Sequence, residues 1–209
     1  MARDTQSIVK MSRREGYALH PKAHKALVKR PTIPGQHGNS RGGGMRGNKA
    51  SQYSLQLREK QKVKRLYGLL EKQFSNLMAE ASRRQGQAGQ VLLQLLEQRL
   101  DNAVYRAGFA PSRRAARQLV THGHFMLNGH RVDVPSIRVK VGDVFIIRDH
   151  SKNSEYFKKL DDTSPAPSTT PEWLKVDRKK RSATISGVPT REDAEPDIKE
   201  QLIVEYYSR

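Results

Sequence analysis

The chain has 209 residues and a formal net charge of +18, with 39 lysine and arginine residues against 21 aspartate and glutamate residues. It has no cysteine, which excludes disulfides and cysteine-ligated zinc, and no apolar run long enough for a transmembrane helix. An excess of positive charge this large attracts polyanions, so nucleic acid is the leading candidate partner and an anionic membrane surface is the alternative. The apolar content of 35% is low for a globular protein and predicts that part of the chain does not pack into a core.

Residues 1–50 are the most basic and least regular part of the sequence. They carry eleven lysine and arginine residues against Asp4 and Glu15, and the glycine run at residues 42–44 breaks regular structure. The pattern predicts an extended arm, with room for one short helical turn, that stays mobile until RNA neutralises its charge. A free solvated tail is the alternative. The candidate RNA contacts in the arm are Arg13, Arg14, Arg41 and Arg46.

A helical pattern follows the arm. From about Ser51 as far as Met78, apolar residues recur at three- and four-residue steps. Five cations crowd residues 58–65, and they repel one another unless an anion compensates them. We therefore favour a phosphate-contacting face over a merely solvated one. The candidate contacts on this face are Arg58, Lys60, Lys62 and Arg65.

Three more helices are predicted in the rest of the chain. One runs from about Gln90 to a stop at Gly108, with leucines as its apolar stripe. A short helix occupies residues 113–121 behind an N-cap at Ser112. Residues 197–207 fit either a helix or a strand, and we favour the helix.

The predicted strands are short. Residues 125–127 and 131–134 form a hairpin around Asn128-Gly129, whose sequence is typical of a type I′ turn. Residues 137–140 and 144–148 form a second strand pair. Further strands are expected at residues 173–176 and 183–188.

Polar residues gather where the short helix meets the hairpin. Arg113 and Arg117 share one helix face, and Arg114 lies close beside it. Together they predict a concave, cationic surface that grips an RNA backbone through phosphates and 2′-hydroxyls. Ordinary surface arginines are the alternative. The candidate contacts on this surface are Ser112, Arg113, Arg114, Arg117, His122, Gly123, His124, Asn128 and Gly129.

This same segment carries a specific resemblance. Its runs include Leu96-Glu97-Gln98-Arg99-Leu100-Asp101-Asn102, Ser112-Arg113-Arg114-Ala115-Ala116-Arg117, His122-Gly123-His124 and Leu127-Asn128-Gly129. They resemble the signature of small-subunit ribosomal protein S-four. Further matches lie at Pro34-Gly35-Gln36-His37-Gly38, at residues 53–67, at Pro171-Glu172-Trp173-Leu174 and at residues 202–209. The resemblance covers nearly the whole chain in the expected order.

The resemblance implies an α+β fold, with a mostly helical first domain into which an RNA-binding module of two short helices and a small, mainly antiparallel sheet is inserted. The expected domains are a basic arm at 1–50, a helical domain at 51–95 completed by 196–209, and an inserted domain at 96–195 with the RNA-binding module at 97–157.

The resemblance also implies a structural, non-enzymatic protein of the small ribosomal subunit. Members of the family bind 16S rRNA directly, nucleate assembly of the subunit body and contribute to translational accuracy. The implied partners are ribosomal protein S-five, other small-subunit proteins and mRNA where it enters the subunit, with neither a membrane nor a second copy of the chain. The implied location is the cytoplasm, with an organelle as the alternative.

One departure from the family concerns metal. Many members carry a Cys-x-x-Cys pair just before the stretch that matches Arg13-Arg14-Glu15-Gly16. Val9 and Ser12 stand at those positions here, so no zinc and no other cofactor is expected.

Three other functions were weighed. Enzymes are one, because the same module accompanies catalytic domains in pseudouridine synthases and tyrosyl-tRNA synthetases, and Arg99-Leu100-Asp101 echoes a synthase active site. No nucleophile constellation or phosphate loop accompanies it, so Asp101 is interpreted as a structural carboxylate paired with Arg99 or Arg106. Metal binding by His122, His124, His130 and His150 is disfavoured by the neighbouring arginines. A single-module RNA chaperone or membrane-surface protein is disfavoured by the length of the resemblance.

Overall fold

The computed structural model describes residues 4–35, 51–167 and 169–208. The chain divides into two compact units. The terminal unit consists of residues 1–89 and 197–209, and the central unit consists of residues 90–196. Helices dominate, and a five-stranded antiparallel sheet accompanies them, which confirms the predicted α+β class. Within the described ranges, no helix has the length and apolar content to cross a membrane.

The helices and strands follow one another with short connections. The first helices are α1 (Ile8–Glu15), α2 (Pro21–Lys29), α3 (Gln52–Leu66), α4 (Glu71–Arg83), α5 (Ala88–Glu97), α6 (Leu100–Arg106) and α7 (Arg113–Thr121). The remaining elements are β1 (Phe125–Leu127), β2 (His130–Val132), β3 (Val144–Ile147), α8 (Asp149–Lys152), α9 (Glu155–Lys158), α10 (Leu160–Thr163), β4 (Leu174–Asp177), β5 (Ser182–Ile185) and α11 (Glu200–Tyr207).

The first part of the basic arm is helical. α1 ends at Gly16, whose φ of 64° is the left-handed conformation that closes helices. α2 begins with Pro21, and the ring Nδ1 of His20 accepts a hydrogen bond from the amide of Lys22 at 3.1 Å. The two helices pack together and bury Met11 and Ala23. The prediction of an irregular arm is therefore wrong for these helices, which are too short to show a clear apolar period. The glycine run at residues 42–44, where the irregular arm was predicted, lies outside the described residues.

The helical pattern after Ser51 belongs to two helices rather than one. α3 ends where Gly68 adopts a φ of 65° and the amide of Leu69 donates to the carbonyl of Lys64 at 2.9 Å. α4 restarts three residues later with its apolar residues still facing inward, so Val63 and Phe74 are both fully buried. Because the apolar spacing continues across the break between α3 and α4, the sequence pattern did not reveal the break.

The C-terminal segment is the helix α11, which confirms the favoured prediction. It packs against α3 and buries Ile203 completely. The side-chain amide of Gln56 donates to Glu205 at 2.9 Å. The rings of Tyr53 and Tyr206 lie 5.8 Å apart.

Glu71 ties α11 to the start of α4. Its carboxylate accepts hydrogen bonds from Lys60 at 2.6 Å, from Lys64 at 2.8 Å and from the hydroxyl of Tyr207 at 3.1 Å. Burial alone would raise the pKa of Glu71, but the two lysines outweigh it and lower that pKa to about 2. Burial and the Glu71 charge both raise the pKa of Tyr207.

This cluster predicts a defined sensitivity to acid. Because the pKa of Glu71 is lowered in the folded state from 4.5 to about 2, its contribution to stability is present above pH 4.5 and is lost as pH falls toward 2. Wild-type protein should therefore be more stable than Glu71→Gln at pH 6, and the difference should vanish near pH 2. Urea unfolding at a series of pH values measures this difference, with Glu155→Gln as the exposed control. A difference that does not change between pH 6 and pH 2 would contradict the assignment.

The sheet of the central unit has the strand order β2-β1-β3-β5-β4, and every neighbouring pair is antiparallel. The predicted hairpin is confirmed, with Asn128 at φ 49° and Gly129 at φ 82° in the turn. The predicted strands near residues 173 and 183 are confirmed as β4 and β5, with slightly different ends.

Two predictions in the central unit are wrong. The helix expected from Gln90 to Gly108 is interrupted at Arg99, whose backbone is extended, and continues as α6. Residues 137–140 do not form a strand beside β3. They instead run past the interruption, where Ile137 accepts a hydrogen bond from the amide of Leu100 at 2.8 Å and the amide of Val139 donates to Gln98 at 2.9 Å. The helix break exposes backbone groups, and this segment pairs with them.

Aromatic rings fill the space between the sheet and its helices. Phe109, Phe125, Phe145 and Phe157 are all buried, with neighbouring ring centroids 6.2 to 6.4 Å apart. Leu100 and Val120 complete this core from α6 and α7. Ala116, Leu119 and Val120 hold α7 against this core, and α7 carries the predicted RNA contacts Arg113, Arg114 and Arg117.

Candidate RNA interface

α7 begins and ends as its sequence predicts. The hydroxyl of Ser112 accepts a hydrogen bond from the amide of Ala115 at 3.2 Å and caps the helix. The helix ends before Gly123, whose φ of 71° turns the chain into β1. Gly123 also leaves room for a guanidinium, because a Cβ placed there would stand 2.7 Å from Nε of Arg131. Arg131 is exposed and was not among the predicted site residues, since its strand was interpreted only as part of a hairpin.

Asp101 binds two arginines inside the central unit. Its buried carboxylate accepts hydrogen bonds from Arg99 at 3.0 and 2.8 Å and from Arg117 at 3.1 Å. Both carboxylate oxygens are engaged. The interpretation of Asp101 as a structural carboxylate is therefore confirmed, with Arg99 as the predicted partner and Arg117 as an additional one.

Arg113 joins a neighbouring network. Its guanidinium donates to Asn102 at 2.8 Å and to Glu195 at 3.0 Å, and it stacks 4.7 Å from the ring centroid of Tyr105. Glu97 is fully buried beside it and is bound by Arg106 at 2.9 and 3.0 Å. Four arginines thus surround three carboxylates. An Arg–carboxylate network of this kind orients its guanidinium groups and neutralises much of their charge.

These contacts give the three arginines of α7 different environments. Arg113 and Arg117 have side chains only 12% and 14% exposed, which disfavours the alternative that they are ordinary surface arginines. Arg114 is exposed. The assignment of all three as RNA contacts stays a prediction, and Arg114 is the one that can meet a phosphate without giving up a carboxylate partner.

The two histidines at the exit of α7 differ. His122 is exposed. In contrast, the ring Nδ1 of His124 shares a hydrogen bond of 3.0 Å with the hydroxyl of Ser151, and the His124 ring packs edge-on against Phe157. Burial lowers the pKa of His124, and the nearby His122 and Arg148 lower it further. His124 is therefore held mainly neutral at pH 7 and positions the exit, while His122 faces solvent.

The hairpin tip lies at the other end of the sheet. The side chain of Asn128 donates to Asp143 at 2.8 Å and accepts from the amide of Val144 at 2.9 Å. β1 separates the exit at His124 from the tip at Asn128, a distance of about 10 Å for a three-residue strand. The single concave surface expected to include both the exit and the tip stays a prediction, now with this distance between its two parts.

The cations of α3 find their counter-charges within the chain. Arg58 and Arg65 both bind the buried carboxylate of Glu15 from α1, Lys62 binds Glu59 at 2.8 Å, and Lys60 is buried against Glu71. Internal carboxylates therefore supply part of the compensation that the sequence argument assigned to an outside anion, and RNA contact by Arg58, Lys60, Lys62 and Arg65 stays a prediction. Arg13 donates to the carbonyl of Thr32 at 3.0 Å, and Arg14 is exposed. Arg41 and Arg46 lie outside the described residues.

No group of three or more His, Asp or Glu side chains that could hold a metal ion occurs in the part of the chain that the structure describes.

Known proteins match this chain along its whole length. Residues 3–97 match the family described as Ribosomal protein S4/S9 N-terminal domain, and residues 98–145 match the S4 domain. A relative from Chlorobaculum tepidum, named small ribosomal subunit protein uS4, is 50% identical over 210 residues, covering 100% of both chains. The chain belongs to the ribosomal protein S4 family. Family proteins of the same name from Clostridioides difficile and Chloroflexus aurantiacus are 50% and 49% identical, again over 100% of both chains. The resemblance inferred from the sequence motifs is thereby confirmed.

Proposed function

We propose that this chain is a structural protein of the small ribosomal subunit that binds small-subunit rRNA directly. The observation that carries the proposal is the 50% identity over the full length of proteins named small ribosomal subunit protein uS4. The net charge of +18 supports it, because binding to RNA is driven largely by release of counterions from phosphates. The protein acts by binding and not by catalysis.

The finer parts of the proposal rest on the family resemblance. They are nucleation of the subunit body, a contribution to translational accuracy, contacts with ribosomal protein S-five and with mRNA where it enters the subunit, and a cytoplasmic location.

The central unit offers a specific way to hold RNA. Arg131 and His122 are exposed at the exit of α7, where the glycine turn is tightly packed, and Arg114 is exposed in the first turn of the helix, next to the Ser112 cap. The ion pairs of Arg113 and Arg117 hold α7, which carries Arg114. Because these side chains stand on a rigid scaffold, RNA loses little binding energy to ordering them. Phosphate contacts then position the RNA, and its shape provides the selectivity.

Salt dependence tests this function. The affinity for small-subunit rRNA should fall steeply with salt, with a log–log slope that reflects roughly 6–10 released counterions. Preference for this rRNA should persist at salt concentrations where an unrelated RNA of equal length no longer binds. Filter binding at five salt concentrations measures both quantities. If the two RNAs bind alike at every salt concentration, the chain is not a specific rRNA-binding protein.

A further inference from the structure

A chain of contacts extends from the exit of α7 along one end of the sheet. The guanidinium of Arg131 lies against Gly123. Arg148 follows β3 and donates from its side chain to the carbonyl of Gly123 at 3.1 Å, while its amide donates to His124 at 2.9 Å. Residues from β2, α7 and β3 therefore meet at this end.

Further hydrogen bonds link this end of the sheet to the turn between β4 and β5. The amide of Ile147 donates to the carbonyl of Arg181 at 3.1 Å, and the guanidinium of Arg181 donates to the carbonyl of Lys152 at 3.0 Å. The end of the sheet thus presents one row of cations, which we call the sheet-end rim. The rim consists of Arg131, Arg148, Lys152, Lys179, Lys180 and Arg181.

The β4–β5 turn is held firmly on both sides. Arg178 donates to the carbonyls of Gly108 at 3.2 Å and Ser164 at 2.8 Å, and Arg181 adopts a left-handed φ of 54°. The amide of Lys180 donates to the side chain of Asp177 at 2.9 Å and closes the turn. The two arginines anchor the turn, and the two lysines between them are exposed.

Charge on the rim is only weakly compensated. Lys180 is 82% exposed and stands 3.9 Å from Asp177, and Lys152 pairs with Asp149, which is 94% exposed. Ion pairs this exposed exchange readily with another anion. The opposite end of the sheet differs, since its turn residues Asn128 and Asp143 bind each other.

The rim fits a phosphate backbone better than a protein surface. Five strands at roughly 4.8 Å spacing make it about 19 Å wide, which suits several successive phosphates. Among the large apolar side chains that the structure shows exposed, Val134 lies closest in sequence to a rim residue, three positions after Arg131. A protein partner would need an apolar centre at its interface.

We propose that the sheet-end rim is a continuous RNA-binding surface, along which an RNA backbone runs from the exit of α7 to the β4–β5 turn, with Lys179 and Lys180 as its outer contacts. The proposal rests on the proposed function and adds to it a second contact beyond the motif residues of α7.

A matched pair of double variants tests the rim. Lys179→Ala/Lys180→Ala removes the outer contacts, and Lys158→Ala/Lys159→Ala removes two adjacent exposed lysines elsewhere in the central unit. The first variant should bind small-subunit rRNA roughly tenfold more weakly at ~0.1 M salt, with a log–log salt slope smaller by about two. The control should keep the wild-type slope. Trp173 fluorescence verifies that both variants are folded.

Tethered cleavage shows direct contact. The chain has no cysteine, so Lys179→Cys and Lys158→Cys each provide one attachment point for an iron chelate that cuts nearby RNA. Cuts should occur in rRNA bound to the first protein and be absent from the second.

The outcomes separate the two proposals. Equal slopes in the two double variants would overturn the rim while leaving rRNA binding intact. Unchanged binding to bare rRNA with reduced incorporation into subunits would also overturn it and indicate an acidic protein partner. Wild-type protein that does not prefer small-subunit rRNA would instead refute the proposed function.

Discussion

Replacing Asp101 by Ala should destabilise the central unit by about 3–5 kcal/mol, the usual cost of removing one partner from a buried ion pair. The side chains of Arg99 and Arg117 are only 5% and 14% exposed, and both donate to this carboxylate. Without it, two nearly buried guanidinium groups lose an acceptor that they share. The single tryptophan, Trp173, is buried in the same unit, so urea unfolding followed by its fluorescence measures the loss.

Two further variants define the cause. Glu155→Ala removes a carboxylate from an exposed pair with Lys159 and should cost less than about 1 kcal/mol. Arg117→Ala should cost less than Asp101→Ala, because Arg99 still satisfies the carboxylate. If Asp101→Ala unfolds at the wild-type urea concentration, the network does not hold α6 and α7 together.

The network changes how arginine variants of α7 are to be interpreted. Loss of RNA affinity in Arg113→Ala or Arg117→Ala arises in part from loosened packing, since both side chains bind carboxylates within the chain. Arg114→Ala gives the cleaner measurement, because Arg114 is exposed.

Replacing Glu15 by Ala should release the segment of α1 and α2 from α3. The Glu15 side chain is fully buried and binds both Arg58 and Arg65. We expect a cost of about 3 kcal/mol, at the lower end for a broken buried pair, because Arg58 and Arg65 keep partial access to water. Limited proteolysis of the free protein should then cut within residues 4–35 much faster than in wild type.

Glu15→Gln and Glu80→Ala are the matched controls. Burial raises the pKa of Glu15 despite the opposing Arg58 and Arg65, so the neutral amide should be tolerated better than Ala. Glu80→Ala breaks only the exposed pair with Arg84 and should leave cleavage of residues 4–35 unchanged. Equal protease resistance in Glu15→Ala and wild type would show that this carboxylate does not anchor α1.

The contacts of Glu15 also revise the prediction of a mobile arm. The count of eleven cations against two anions treated Glu15 only as a counter-charge within the arm, whereas Glu15 binds Arg58 and Arg65 of α3, and Met11 and Ala23 are buried. Mobility before RNA binding stays a prediction only for the part of the arm beyond residue 35.

Local sequence signals predicted the elements that depend on neighbouring residues. The bounds of α7 and its Ser112 cap are confirmed, and so are the Asn128-Gly129 turn and the helical end of the chain. Caps and tight turns are decided within about four residues, so their chemistry can be found in the sequence. The helix break at Arg99 was not predicted, because the backbone groups beside it form hydrogen bonds with Ile137 and Val139, which are distant in the sequence.

Charge and motifs by themselves determined that this protein binds a polyanion and belongs to a ribosomal family. Only the tertiary structure decided which cations are available to bind that polyanion. Arg58 meets Glu15 across 43 residues, and Arg113 meets Glu195 across 82. Composition counts these charges equally, but pairing depends on long-range packing, which brings some carboxylates to some arginines and leaves Arg114, Arg131, Lys179 and Lys180 at the surface.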